Sequence, residues 1–337
     1  MAEFTRVLVT GGAGFIGSNY VRYALREKPA RKLVVLDKLA YAGSLDNLRD
    51  VMERIEFVRG DITEPADVRR ALQGCDAVVN FAAESHVDRS LLDSAPFVRT
   101  NVAGASMLLE AARELGVKRF CQVSTDEVYG DLAGTARHSV ETDALHPRSP
   151  YAATKAAAEH LAMSCHLSFG LDVVVTRGSN TYGPWQYPEK IIPLFITNAL
   201  DNRHLPVYGD GSAVRDYMHV EDHCAGIETV LCAGAAGQAY NLGARLEVPG
   251  REVAERIVEL TGRPAALIRN VPDRPGHDYR YSVDPAKAEA LGWRRRWTWP
   301  DGLAQAVRWY RDHEDWWRAV KEKLEFRKHD RAWYADR

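Results

Sequence analysis

Val7-Leu8-Val9-Thr10-Gly11-Gly12-Ala13-Gly14-Phe15-Ile16-Gly17 runs from a β-branched apolar segment into a glycine cluster and then into a helical pattern. Strand, tight turn and helix follow one another without a spacer. Glycines at 11, 14 and 17 let the chain turn sharply and let its backbone approach a pyrophosphate at the positive end of the helix. Phe15 and Ile16 stand at that helix start. Glycine clusters also build plain turns, and it is the strand before and the helix after that point to a dinucleotide. Asp37 ends the next apolar run, twenty residues beyond Gly17. A carboxylate there accepts hydrogen bonds from the adenosine ribose and opposes a 2′-phosphate, favouring NAD over NADP. Lys38 beside it works against that discrimination. Asp61-Ile62 closes a third run and either flanks the adenine or caps the helix that Pro65 opens.

Outward from this motif, Arg6–Thr10, Lys32–Asp37, Ile55–Arg59, Ala77–Phe81, Arg119–Ser124 and Asp172–Arg177 are almost continuously apolar, as strands covered on both faces are. Phe15–Arg26, Pro65–Leu72, Ala95–Leu115 and Tyr151–Phe169 carry apolar residues at helical spacing between them. This alternation predicts an α/β fold, a Rossmann-type doubly wound parallel sheet. It weakens after Arg177, where Pro184, Pro188, Pro193 and Pro206 break the chain into short pieces. Residues 1–177 are expected to form the cofactor domain, continuing in part into later segments. Residues 178–320 form mainly a smaller, mixed C-terminal substrate lobe, with helices near Glu221–Ala233 and Pro249–Leu260, and 321–337 are a tail. Trp309, Tyr310, Trp316 and Trp317 are expected to dock a helix against the body.

Composition narrows the class. With 337 residues, 44 Lys+Arg against 46 Asp+Glu and 46% hydrophobic residues, the chain reads as globular. The net charge of −2 gives no chain-wide basic footprint for nucleic acid or an anionic membrane. No apolar run approaches the ~18 residues of a membrane span. The N-terminus enters a strand at once, leaving no room for a signal peptide. Five scattered cysteines form no Cys-x-x-Cys pair and read as reduced thiols of a cytoplasmic protein.

Two segments carry chemistry. In Tyr151-Ala-Ala-Thr-Lys155 a phenol and an ammonium share one helical face. The cation, joined by a charged nicotinamide, is expected to lower the Tyr151 pKa and make it a base for an alcohol proton. Ser124-Thr125-Asp126-Glu127-Val128-Tyr129-Gly130 follows the fifth strand, where open α/β sheets place their ligands. Adjacent carboxyls there supply an acid and a base if one stays protonated. His219-Val-Glu221-Asp222-His223 holds ligand-type residues, yet its strand-to-helix setting reads as a helix start capped by acids, and no metal is expected.

Together these residues resemble the extended short-chain dehydrogenase/reductase family, and within it the dTDP-glucose 4,6-dehydratases, from about Arg6 to Trp317. The resemblance is carried by Thr125 to Gly130, Ser179-Asn180 with Tyr182-Gly183-Pro184, Leu205-Pro206-Val207-Tyr208-Gly209, Val214-Arg215-Asp216 and Asp273-Arg274-Pro275-Gly276-His277. It implies a hydro-lyase that holds NAD and removes water from a nucleotide-activated glucose. The steps are oxidation at C4, elimination across C5 and C6, and hydride return to C6, giving a 4-keto-6-deoxy sugar. The resemblance makes Tyr151 the base at the 4-hydroxyl, with Thr125 hydrogen-bonding the 4-oxygen and Lys155 binding the cofactor ribose. Glu127 takes the C5 proton, and protonated Asp126 donates to the departing 6-hydroxyl. Further cofactor contacts are implied at Asp37, Lys38, Leu39, Ala40, Asp61, Ile62, Ala82, Ala83, Glu84, Ser85, Thr100 and Thr181. Nucleotide-sugar contacts are implied at Ser85, His86, Asn180, Glu189, Lys190, Ile191, Pro206, Val207, Tyr208, Arg215, Asp273, Arg274 and His277. The helices at 95–115 and 151–169 pair across a four-helix homodimer interface in this superfamily.

The chain departs from the family in two places. Gly178-Ser179-Asn180-Thr181 stands where Cys-Ser-Asn-Asn is common. Ala244-Arg245-Leu246-Glu247 replaces Gly-His-Asn-Glu, and a nucleotide-binding Asn position falls at Gly250. The resemblance therefore leaves dTDP, UDP, CDP and GDP open. A nucleotide-sugar 4-epimerase or decarboxylase on the same scaffold shares the glycine loop, Tyr151 and Lys155 but has no use for Asp126 and Glu127 as a pair. A non-catalytic NAD sensor has no need of Tyr151 and Lys155.

Overall fold

A computed structural model describes residues 2–273, 277–323 and 326. Its strands are β1 Arg6–Thr10, β2 Lys32–Asp37, β3 Glu56–Arg59, β4 Ala77–Asn80, β5 Arg119–Thr125, β6 Val173–Gly178, β7 Asn180–Tyr182, β8 Leu205–Tyr208, β9 Val214–His219, β10 Gln238–Leu242, β11 Glu247–Pro249 and β12 Ile268–Val271. Seven of them form one parallel sheet in the order β10-β6-β5-β4-β1-β2-β3. This is the doubly wound topology expected from the alternation. Strand order reverses beside β1, so β1 and β4 part at their carboxyl ends and leave the crevice in which such sheets bind ligands.

The sheet buries both faces. Val7, Val9, Val35 and Val79 pack with Tyr20, Val21 and Ala24 of helix Phe15–Glu27 and with Ile227 and Val230 of helix Val220–Ala233. Leu8, Val34, Leu36 and Val78 point the other way, toward Leu108 and Ala162 of the opposite helical layer. A one-residue slip would exchange these sets without exposing either. Size complementarity and the strand-end turns therefore hold the register. Truncating fully buried Leu8 to Ala costs about 2–5 kcal/mol.

Two features differ from the sequence reading. Pro193 does not break the chain: it lies in the first turn of helix Ile191–Leu200, where no amide hydrogen is required. The helical run at 95–114 contains a π-helical stretch, Val98–Gly104, that periodicity does not reveal. β10, from the second half of the chain, returns to pair with β6 as an edge of the main sheet. The remaining strands form a three-stranded sheet, β11-β9-β7, and a parallel pair, β12-β8. The C-terminal aromatics dock as expected. Trp317 is fully buried and donates to the Tyr310 carbonyl, and Trp316 donates to Asn47. The five cysteines are free and buried. Among the described residues no helix is long and apolar enough to cross a membrane.

Candidate active site

The crevice opens at the glycine loop. Gly11 adopts φ +65°, and a Cβ there would lie 2.7 Å from the Ala82 nitrogen, while one on Gly17 would lie 2.3 Å from the Gly11 oxygen. Larger residues would push the loop off β4 and the helix off the loop. Asp37 holds the loop from the side, its carboxylate accepting from the amides of Ala13 (3.0 Å) and Leu39 (2.8 Å). Each oxygen keeps a lone pair for a ribose hydroxyl. Burial raises the Asp37 pKa, opposed by those two amides and by Lys38. Lys38 is itself engaged, 3.2 Å from Glu84, 3.2 Å from the Thr100 hydroxyl and 3.9 Å from Asp61. Its charge is thus spent on two carboxylates, which removes the objection it raised to NAD. Asp61 lines the cavity and also accepts from the Thr63 amide, so it serves ligand space and turn together.

A cavity of about 290 Å³ runs from Asp37 to the ends of β5 and β6. Gly11, Gly14, Phe15, Ile16, Gly17, Asp37, Lys38, Ala40, Asp61, Ile62, the Ala82–Ser85 segment, Thr100, Thr125, Tyr151, Lys155 and Thr181 all line it. Leu39 does not: its side chain packs on the apolar core. A second cavity of about 160 Å³ is lined by His86, Glu189, Ile191, Pro206, Val207, Tyr208, Arg215 and His277. Glu127, Asn180 and Lys190 line both, so the two spaces meet beside the carboxyl pair. Asp273 stays outside the second wall and accepts a 2.6 Å bond from His277; Arg274 lies outside the described residues.

At the junction, Thr125 ends β5 and its hydroxyl accepts from the Glu127 amide (3.3 Å), capping the short turn Asp126–Tyr129. That turn presents both carboxyls toward the cavity. Asp126 is only 2% exposed and its Oδ2 has no protein partner. Burial holds its pKa well above the usual carboxylate range, reinforced by Glu127 and by buried Asp216. The direction of that shift is the one a proton donor requires.

Tyr151 and Lys155 share a helical face as expected, but the cation does not acidify the phenol in this state. Burial, then Glu127, drive the Tyr151 pKa upward, and a hydrogen bond with Thr125 opposes them only in part. Lys155 instead donates to the Val123 carbonyl at 2.6 Å. Burial brings its own pKa down to about 8, opposed by Glu159. Lys155 is not among the groups that set the Tyr151 pKa, and its ammonium is bonded to backbone.

The nucleotide end is built around Arg215. Its guanidinium donates to the carbonyls of Val214 (2.8 Å) and Asp278 (2.7 Å) and lies 4.7 Å above the Tyr281 ring. A fixed fork of this kind suits a diphosphate. Glu189, buried, sits 3.2 Å from Arg89 and 3.6 Å from His86. Lys190 donates to the Ser85 carbonyl (3.0 Å), bridging the two cavities. In the His219–His223 run the acids serve the fold. Glu221 accepts from the Trp297 indole, and Asp222 from the amides of Arg296 and Trp297.

Sequence reasoning missed Tyr281 and Asn101. Tyr281 lies just past a recognised motif but carries no spacing signal of its own. Asn101, in the π-helical stretch, bonds both backbone groups of Glu84 and the Thr154 hydroxyl, pinning the cofactor loop to the catalytic helix. The fit of a ligand is legible in orphaned polar atoms. Ser124 Oγ, Asp126 Oδ2, Ser179 Oγ, Asn180 Oδ1, Gln186 Oε1 and His223 Nε2 are buried without protein partners, and all six residues line the first cavity. Buried polar groups left this way cost about 1–3 kcal/mol each, so their clustering marks a polar ligand. The residues present fit a dinucleotide.

Known proteins agree. The family model described as GDP-mannose 4,6 dehydratase matches residues 8–306. A dTDP-glucose 4,6-dehydratase of Streptomyces niveus is 48% identical over 323 residues, covering 94% of this chain and 96% of that protein. The crystal structure of a dTDP-glucose 4,6-dehydratase from Streptomyces venezuelae, with NAD and dTDP bound, superposes with a TM-score of 0.91 at 48% identity, covering 94% of this chain and all of that one. A Thermus thermophilus UDP-glucose 4-epimerase in complex with NAD reaches 0.86 at 33% identity over 92% of this chain and all of its own. The backbone alone therefore does not separate the two chemistries, whereas the higher sequence identity lies with the dehydratases. The chain belongs to the dTDP-glucose 4,6-dehydratase family.

Proposed function

We propose that the protein converts dTDP-glucose to dTDP-4-keto-6-deoxyglucose and water, with NAD regenerated in each turnover. The observation that carries this reading is Asp126, buried, unpartnered at Oδ2 and with its pKa pushed upward, beside Glu127 at the junction of the two cavities. NAD, held by the glycine loop and Asp37, would supply the hydride acceptor for C4 and the hydride donor for C6. Tyr151 takes the proton from the 4-hydroxyl, and Thr125, already bonded to the phenol, orients the 4-oxygen. Lys155, one turn along and lining the same cavity, binds the cofactor ribose. Once C4 is a ketone the C5 proton is acidic, and Glu127 removes it. Asp126 protonates the departing 6-hydroxyl. Glu127 returns its proton to C5, and the proton taken by Tyr151 replaces the one that Asp126 gave to the departing water. Asn180 and Lys190 hold the sugar where the cavities meet, and Arg215 holds the diphosphate.

Residues 1–177 supply most of the cofactor domain and 178–320 most of the substrate lobe, with β10 as the return crossing. The helices at 95–114 and 150–169 form a homodimer interface, consistent with the exposed Leu167 and Phe169 at the end of the second helix. The working compartment is the cytoplasm, consistent with five free buried thiols. A 4-epimerase or decarboxylase reading leaves the Asp126 and Glu127 pair without a task. Incubation of the purified protein with dTDP-, UDP-, CDP- and GDP-glucose, without added NAD, tests the proposal. Loss of one water from dTDP-glucose is expected. Inversion at C4 without mass change would replace dehydration by epimerisation.

A further inference from the structure

His223 lies on the helix that follows β9, at the end of the run in which the acids serve the fold, and its ring reaches the inner end of the first cavity. It is 2% exposed. Its Nδ1 is 2.7 Å from the Thr181 hydroxyl, and that hydroxyl also bonds the Ser179 carbonyl at 3.1 Å. A threonine has one proton to give, and the carbonyl can only accept. With that proton on the carbonyl, Nδ1–H is the donor to Thr181 Oγ1, and Nε2 carries a bare lone pair. Nε2 has no protein partner. Burial keeps the imidazole neutral, with its pKa down to about 3.

The position of that lone pair is fixed by Gly178. A Cβ on residue 178 would lie 2.5 Å from both Cε1 and Nε2 of His223, so the ring occupies space that any other residue would fill. Gly178 pairs with Thr125 across β6 and β5, on adjacent strands about 4.8 Å apart. Nε2 therefore sits at the chemistry end of the cavity, beside Thr125 and far from Asp37. The group that must lie there is the nicotinamide, because its ring exchanges a hydride with the carbon whose hydroxyl Tyr151 serves. The donor that a nicotinamide offers at its edge is the carboxamide amino group.

We propose that His223 is a positioning residue for the cofactor: its Nε2 accepts a hydrogen bond from the nicotinamide carboxamide, in a seat opened by Gly178 and with the tautomer set by Thr181. This rests on the NAD reading above. It also gives a physical reason for two departures from the family pattern, Gly178 and Thr181, which act on the same ring.

The test is competition between two dinucleotides. In 3-acetylpyridine adenine dinucleotide a methyl replaces the amino group and the carbonyl is kept. Purified protein is equilibrated with both at equal concentration and desalted, and the retained ratio is read by mass spectrometry. One neutral hydrogen bond predicts that the wild type prefers NAD by about fivefold. His223→Phe is expected to bring the ratio to about one, and His223→Gln, which restores an acceptor, to recover the preference. Thr181→Val keeps the ring but frees its tautomer, and is expected to lower the ratio even if His223→Phe does not fold. A wild-type ratio of one, or an unchanged ratio in His223→Phe or Thr181→Val, overturns the proposal. Failure of the wild type to retain either dinucleotide overturns the NAD reading itself, a distinct result.

Discussion

Lys155→Met removes a buried ammonium while keeping an unbranched stem, and its effect on stability can be worked from the structure. Lys155 is 5% exposed, and burial brings its pKa from the usual 10.5 down to about 8. The unfolded chain thus binds the proton more tightly than the folded one, and stability rises with pH between these values. Below pH 8 the penalty is present in full; above 10.5 it is absent. At pH 7 it amounts to about 3 kcal/mol, and at pH 10 to about 1 kcal/mol. The variant has no such term. Its lost bond to the Val123 carbonyl adds an offset of about 1 kcal/mol that does not depend on pH, and that carbonyl keeps a partner in Gln122. Urea unfolding of the cofactor-stripped proteins, at one protein concentration and at several pH values from 7 to 10, measures the difference. The advantage of the variant over the wild type is expected to shrink by about 2 kcal/mol across that range, although the variant is inactive. Parallel stability curves would show that Lys155 carries no burial penalty, and the account of its strain would fall.

Glu127→Gln is expected to retain oxidation at C4 while blocking exchange of the C5 hydrogen with deuterated solvent, read by proton NMR of recovered sugar; normal exchange would remove Glu127 from that step. Asp126→Asn keeps the size but cannot deliver a proton, so dehydration of dTDP-glucose should fall by about 10²–10⁴-fold. A 6-fluoro analogue, whose leaving group needs less protonation, should be largely spared, and equal losses on both would reduce Asp126 to a geometric role. Glu159→Gln leaves Arg177, bonded to Glu159 at 2.8 and 2.9 Å in a buried pair, without its counter-charge. A loss of about 3–5 kcal/mol in urea unfolding is expected, with much of it recovered in the double variant Glu159→Leu/Arg177→Met.

Much of the fold is legible because its determinants are local. Val7 to Thr10 and Lys32 to Asp37 are apolar on both faces, and the turn between Thr10 and Phe15 is written in glycine. What escapes the sequence is geometry that depends on one extra residue or on a distant partner. The π-helical stretch at Val98–Gly104 preserves the apolar count and shifts only the hydrogen-bond ladder, so no period reports it. Pro193 looks the same in sequence whether it starts a helix or stops one. β10 joins β6 through the register Gln238↔Val174, a pairing across more than sixty residues.

The site divides along the same line, and the division explains which chemical expectations held. Thr125, Asp126 and Glu127 are neighbours in the chain, so their convergence on one turn follows from sequence. The upward shift of the Asp126 pKa follows only in part: the charge of Glu127 is local, but burial, the largest cause, is not, nor is Asp216, ninety residues away and locked by the amides of Ala244, Arg245 and Leu246. Tyr151 and Lys155 illustrate the converse. Their four-residue spacing fixes a shared face, yet the phenol feels burial and Glu127 while the ammonium is held by Val123. Spacing determines which groups can meet; the dielectric around them, assembled from remote strands, determines which proton moves. A 4-epimerase of similar backbone shares the first property. The acid role of Asp126 rests on the second, since burial and the neighbouring carboxylates are what push its pKa upward.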